Sequence, residues 1–128
     1  MNTVRDLLQM SGYSDRAIEY YENTLNVGKI EKPDAHFAYT GPCGDTMELF
    51  LKISDVISDA KFQAIGCIGT FIFGSALTKM IIGKKLKECE LFDETNLLEH
   101  IGEVPEQKKH CAHLVAVTFK KTIEQLKI

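Results

Sequence analysis

Three cysteines stand beside residues that suit a working thiolate. Cys43 lies in Gly41-Pro42-Cys43-Gly44-Asp45, Cys67 in Gly66-Cys67, and Cys111 in Lys108-Lys109-His110-Cys111. Thiolate, not thiol, ligates metal and attacks sulfur. Each cysteine falls where the chain is expected to change state. Cys43 is in a turn before a strand, Cys67 at a strand-to-helix junction, and Cys111 in the first turn of the last helix. A helix start carries partial positive charge and free N–H groups, and both lower the pKa of a nearby thiol. Glycine beside a cysteine lets backbone N–H groups approach the sulfur. No Cys-x-x-Cys pair is present, which argues against a zinc finger or a thioredoxin-type motif. Spacing alone therefore leaves two readings open. One is a three-cysteine site. The other is four unrelated packed thiols, since free Cys behaves as a small hydrophobe.

The elements that must position these thiols can be read from periodicity. Thr3-Val4-Arg5-Asp6 fits a capping box for a short helix that stops near Ser11-Gly12. Ser14 suits the N-cap of a second helix with Ala17, Ile18 and Tyr21 as its apolar stripe. From His36 to Ile65 the pattern is extended. Met47, Leu49, Leu51 and Ile53 alternate with Thr46, Glu48, Phe50 and Lys52, a period of two. Ser54-Asp55 reads as a hairpin turn, and the chain returns as a partner strand. After Gly66 the period becomes helical, with Ile68, Phe71, Ile72, Leu77 and Ile81 on one face and Gly83 past its end. Short helices are predicted over 84–91 and 96–101, then a break holding Pro105. The last helix is predicted over 108–127, with Cys111, Leu114, Val115, Phe119, Ile123 and Leu126 inward. Helix, three strands, then helices predicts an α+β fold: a small three-stranded antiparallel sheet with helices packed on one face.

Composition bounds the function. A chain of 128 residues, 45% hydrophobic, fits a single domain over 1–128 with one core. A net charge of -3 gives no electrostatic footprint for nucleic acid. The apolar run Ala64 to Leu77 is shorter than the ~20 residues a membrane span needs, so it is expected to be a buried helix and no membrane is implied. No apolar stretch follows Met1-Asn2-Thr3-Val4-Arg5-Asp6, so a cytoplasmic protein in a reducing environment is expected. There, four cysteines do not suggest a disulfide framework.

The contexts of the three cysteines resemble the IscU/NifU-type iron–sulfur cluster assembly scaffolds, from about Tyr13 to Leu126. Tyr13-Ser14-Asp15, then Tyr21-Glu22-Asn23 with Asn26-Val27-Gly28, resembles the family's entry, with Thr24 where proline is usual. Pro42-Cys43-Gly44-Asp45 matches the first cysteine motif. Asp59-Ala60-Lys61-Phe62 through Gly66-Cys67 matches the second, and Lys108-Lys109-His110-Cys111 the third. By this resemblance Cys43, Cys67 and Cys111 hold a nascent cluster, [2Fe–2S] in preference to [4Fe–4S], and Asp45 or His110 supplies the fourth ligand. A harder oxygen or nitrogen donor binds cluster iron less tightly than thiolate and offers a point of release. Cys111 is the implied sulfur acceptor, receiving persulfide sulfur from a cysteine desulfurase, with Lys108 stabilising the thiolate or persulfide.

The resemblance implies a scaffold rather than an enzyme. Its partners would be the desulfurase, a reducing electron source and apo iron–sulfur proteins, and it would form a homodimer if a cluster bridges subunits. The family's chaperone-docking motif stands here as Val104-Pro105-Glu106-Gln107-Lys108. Only Pro105 and Lys108 match, which argues against a dedicated Hsp70-type chaperone. Ile68 replaces the usual glycine after the second cysteine, and no long zinc-type insertion lies between Cys67 and Cys111. Met1–Gly12 is an extension without a family counterpart. An alternative from another class is a zinc-binding persulfide sulfurtransferase that activates a desulfurase and never holds a cluster, using the same thiolates with Asp45 or His110. Cys89 is expected to be a packed thiol, and His36, His100 and His113 are set aside as ordinary histidines.

Overall fold

The computed structural model describes residues 3–126. The elements in chain order are α1 (Val4–Met10), α2 (Asp15–Glu22), β1 (Ala35–Thr40), β2 (Thr46–Ile53), β3 (Ile57–Ile65), α3 (Ile68–Ile81), α4 (Glu94–Ile101) and α5 (Lys109–Glu124). The fold is α+β, as the periodicities predict.

Alternation in β2 decides the sheet. The strands pair antiparallel in the order β1-β2-β3, with Leu49 opposite Phe37 on one side and Phe62 on the other. Met47, Leu49 and Leu51 share one face and are fully buried with Ala60 and Phe62. α3 and α5 cover that face. Gly74 of α3 lets the helix lie directly on the sheet, since a Cβ there would stand 2.7 Å from the Phe62 ring. The strict alternation expected of β2 breaks at Phe50, which points to the other face yet is only 6% exposed. Its ring stacks on its cross-strand partner His36 at 5.8 Å. Such an aromatic cross-strand pair shields apolar area that no helix covers.

α3 is apolar on nearly every side, as befits a helix packed between other elements. It contacts β3, α2, α4 and α5. α5 lays Cys111, Leu114, Val115 and Phe119 inward as expected. It ends at Glu124, short of the predicted 127, and Lys127 lies outside the described residues. In α2, Tyr20 is buried in place of the expected Tyr21, which is 37% exposed. Tyr20 faces the body of the protein, where its hydroxyl meets His100 Nε2 at 2.8 Å. The helix predicted over 84–91 is a single 3-10 turn, Leu86–Cys89. Lys85 is still extended and is capped by the Glu88 side chain, so the helical stretch starts only at Leu86 and has room for one tight turn. α4 begins earlier than predicted because Asp93 caps it, accepting from the Thr95 N–H at 2.9 Å while Asn96 Oδ1 accepts from the Asp93 N–H.

α1 confirms the capping box at Thr3 but buries no residue. It rests on α2 through Arg5–Glu22 at 2.6 Å and Gln9–Asp15 at 3.1 Å, with Val4, Leu7 and Met10 exposed. α1 therefore lies on the surface, tied to the body by these polar contacts and by the half-buried Leu8 against the core. Among the described residues, no helix is long and apolar enough to cross a membrane.

Candidate metal centre

Three chain segments meet at one end of the fold. The β1–β2 turn carries Cys43 and Asp45, the start of α3 carries Cys67, and the start of α5 carries His110 and Cys111. Asp45 lies at the centre. Its carboxylate groups with Cys67 and Cys111 in one triplet and with Cys43 and His110 in another, and within each triplet the ligand atoms lie within 4.8 Å of one another. The Cys67 and Cys111 sulfurs are 3.4 Å apart. Two thiolates on one tetrahedral metal at ~2.3 Å stand about 3.8 Å apart, so this pair needs only a small adjustment to share an ion. His110 Nε2 lies 3.7 Å from the Cys111 sulfur. All four cysteines are free thiols. The donor set is soft sulfur plus one hard oxygen or nitrogen, which suits the iron of an iron–sulfur cluster or zinc.

Local sequence explains the convergence. Gly44 has φ +91, the left-handed turn conformation that glycine adopts at no steric cost, and it brings Asp45 back toward β2. A Cβ at Gly66 would stand 2.7 Å from the Asp45 carboxyl carbon, so only glycine lets that side chain lie over the β3–α3 junction. A Cβ at Gly69 would stand 2.7 Å from the Cys111 sulfur. Cys67 is the N-cap residue of α3.

Burial grades the three thiols from outside to inside. Cys43 is exposed, Cys67 half-buried and Cys111 fully buried. For Cys67 burial is the largest influence and raises the pKa. The hydrogen bond from Cys111, the Thr70 and Gly69 N–H groups and the Lys108 charge together outweigh it, and the thiol is held below its ordinary value. For Cys111 the expectation from its helix-start position fails. Burial first, then the adjoining Cys67, pushes its pKa up to about 12. Desolvation at a fully buried sulfur outweighs the partial charge of a helix terminus. Lys108 bears on both inner thiols. Its pKa is raised chiefly by Cys67, so its charge bears on that thiol before Cys111.

All five proposed ligands, Cys43, Asp45, Cys67, His110 and Cys111, therefore lie together, with Lys108 beside them. Of the set-aside residues, Cys89, His100 and His36 lie outside the two ligand triplets, while His113 lines a cavity with Cys43 and His110 but turns its Nδ1 to Glu94. Cys89 is buried at the far end of the helical layer among Leu86, Phe92 and Phe119. His113 bonds Glu94 at 2.9 Å, His100 bonds Tyr20, and His36 stacks on Phe50. Sequence reasoning missed Thr70, which is fully buried and donates to Asp45 Oδ2 at 3.1 Å. Its spacing, three residues after Cys67 on the same helix, was the available signal. Tyr13 is buried close enough to Lys108, Cys67 and Cys111 to feel their charges.

Known proteins carry the same arrangement of chain. The fold matches the N-terminal part of a nitrogen-fixing NifU-like protein from Brucella abortus with a TM-score of 0.70 at 20% identity, over 89% of this chain and 93% of that one. It also matches a putative SUF-system iron–sulfur cluster assembly scaffold protein from Fervidobacterium islandicum, with a TM-score of 0.69 at 22% identity over 87% and 96%. In sequence, the chain is 36% identical over 113 residues to the iron–sulfur cluster assembly scaffold protein IscU 1 of Archaeoglobus fulgidus, covering 87% of this chain and 74% of the relative. It is 35% identical over 122 residues to IscU of Haemophilus influenzae, covering 90% and 95%. The family model of the NifU-like N-terminal domain matches residues 12–127, beginning where the surface extension ends. With cysteine contexts, fold and family model in agreement, the chain belongs to the NifU-like N-terminal domain family.

Proposed function

We propose that this protein is a cytoplasmic scaffold, not an enzyme, on which an iron–sulfur cluster is assembled and from which it passes to apoproteins. The observation that carries the reading is the meeting of three free cysteines around one carboxylate, in a chain whose relatives are named as cluster assembly scaffolds. Cys43, Cys67 and Cys111 are the thiolate ligands, and Asp45 or His110 is the fourth. Cys43, on the exposed lip, is the first sulfur that incoming iron meets. The half-buried Cys67, with its lowered pKa, is the most readily ionised of the inner pair.

Sulfur arrives from a cysteine desulfurase as a persulfide. The acceptor thiolate attacks the outer sulfur, the sulfur–sulfur bond of the donor breaks, and the desulfurase cysteine leaves as thiolate. Cys111 is the acceptor, with Lys108 offsetting the negative charge. Because its sulfur is fully buried, accepting a persulfide requires the β1–β2 turn or the start of α5 to move aside. Docking of the desulfurase at this end of the fold would supply that movement. The cargo is a [2Fe–2S] cluster, and the same donor set is one that could also hold zinc in purified protein.

Anaerobic reconstitution with ferrous iron, L-cysteine, a cysteine desulfurase and a thiol reductant, which supplies the electrons that turn persulfide sulfur into cluster sulfide, tests the reading. Visible charge-transfer absorption, and its loss on addition of an apo-ferredoxin that gains it, is the expected result. Stoichiometric zinc that iron cannot displace, together with stimulated desulfurase turnover and no absorption, would overturn it in favour of a zinc-binding sulfurtransferase.

A further inference from the structure

We infer that Thr70 is a positioning residue whose buried hydroxyl holds the Asp45 carboxylate in the ligand position and thereby sets how tightly this site grips metal. The inference rests on the reading of Asp45 as a ligand. The other buried threonines of α3 and α5 donate to carbonyls of their own helix. Thr118 donates to the Leu114 carbonyl at 2.8 Å, Thr122 to the Thr118 carbonyl at 2.7 Å, and Thr78 to the Gly74 carbonyl at 3.1 Å. Thr70 cannot do this in the usual way. It sits in the first turn of α3, where the residue four positions back, Gly66, lies outside the helix. Its hydroxyl instead reaches across to the β1–β2 turn and donates to Asp45 Oδ2 at 3.1 Å.

The rest of the carboxylate's seat leaves this bond as its principal anchor. The Cys67 N–H points at the same oxygen but at 3.5 Å, the limit of hydrogen bonding. Gly66 contributes only space, since any side chain there would collide with the Asp45 carboxyl group. Asp45 is otherwise part of an exposed turn, with Cys43 and Gly44 in solvent. A carboxylate on such a turn has rotamer freedom that it must lose to bind metal. Thr70 removes that freedom in advance, from a helix that is itself packed on four neighbours. Oδ2 accepts the hydroxyl's hydrogen bond, which leaves Oδ1 as the oxygen free for metal. Hydrogen bonds to ligating groups are commonly worth 10- to 100-fold in metal affinity.

Anaerobic titration with Co(II), whose absorption bands report both thiolate ligation and coordination number, tests this without cluster assembly. Thr70→Val keeps the side-chain volume and removes the hydroxyl. We expect it to weaken Co(II) binding about 10-fold, with Thr70→Ser restoring most of the loss. In an Asp45→Ala background, Thr70→Val is expected to cost far less, because most of its effect runs through that carboxylate, and only the hydroxyl's smaller influence on the Cys111 thiol remains. Unchanged affinity in Thr70→Val, or an equal loss in the Asp45→Ala background, would overturn the inference. Failure of the native protein to show thiolate-to-cobalt bands would instead overturn the reading of the site itself. Melting temperatures of all variants without metal distinguish a folding defect: a weakened Thr70→Val whose loss is not restored by Ser and that melts early counts against the inference.

Discussion

Cys111 and Cys89 have the same side chain and nearly the same burial, and they sit at opposite ends of the helical layer. Both thiols are pushed above their ordinary pKa by desolvation. What separates them is company. Cys111 has a second sulfur at 3.4 Å and belongs with Asp45 and Cys67 to a cluster of ligand atoms. Cys89 faces Phe92, Phe119 and Ile123, and no other ligating side chain joins it in a comparable group among the described residues. Burial of a cysteine therefore says little about its role. The convergence of further donors from distant parts of the chain is what marks a site.

The contrast should be sharpest in cluster yield. Cys111→Ser is expected to abolish the visible absorption gained on anaerobic reconstitution, whereas Cys89→Ser should retain most of it. Two glycines offer the next test. Gly74→Ala pushes a methyl group into the Phe62 ring and should cost about 1–3 kcal/mol of stability by overpacking, read by denaturant unfolding, while leaving thiol chemistry at the site intact. Gly69→Ala pushes a methyl group into the Cys111 sulfur, and its main effect should be a severalfold loss of bound iron per chain. If the two variants behave alike in iron content, the site and the core are not separable in the way described.

Alkaline stability separates the two buried thiols further. A buried thiol that holds its proton to about 12, against an ordinary 9.0, binds more protons folded than unfolded in that window. Its contribution is complete below pH 9 and declines as pH rises toward 12. Metal-free protein should therefore lose stability across this range, and Cys111→Ser should flatten the decline more than Cys89→Ser, as measured by urea unfolding at stepped pH. The smallest effect concerns Lys108. Its charge helps to lower the Cys67 pKa, so Lys108→Gln should slow alkylation of Cys67 severalfold near neutral pH and leave Cys89 unaffected, as followed by mass spectrometry.

The same contrast explains how much could be read from the chain beforehand. The sheet, α3 and α5 were legible because burying one face imposes a period of two or 3.6 that a sequence displays openly. The candidate ligands were legible through the resemblance that the segments around Cys43, Cys67 and Cys111 bear to a scaffold family; turn and cap residues alone left a three-cysteine site and packed thiols both open. Three features were not. The acidity of Cys111 depends on desolvation by residues far away in the chain, so its helix-start position gave the wrong direction. The principal target of the Lys108 charge depends on the packing of α3 against α5. Thr70 looked like one more small residue in an apolar helix, since its partner Asp45 is 25 positions away. Phe50 and Tyr20 escaped for a related reason: each is covered by a histidine brought in by tertiary structure.

The central claim is that one iron centre is shared by sulfurs from three separate segments. An anaerobic crystal structure of the iron-reconstituted protein addresses it without reference to activity. Our account predicts iron bonded to the sulfurs of Cys43, Cys67 and Cys111, with Asp45 or His110 completing the set and the Cys89 sulfur untouched. Iron held elsewhere, or by only one of these thiolates with the other two still protonated and apart, would contradict it.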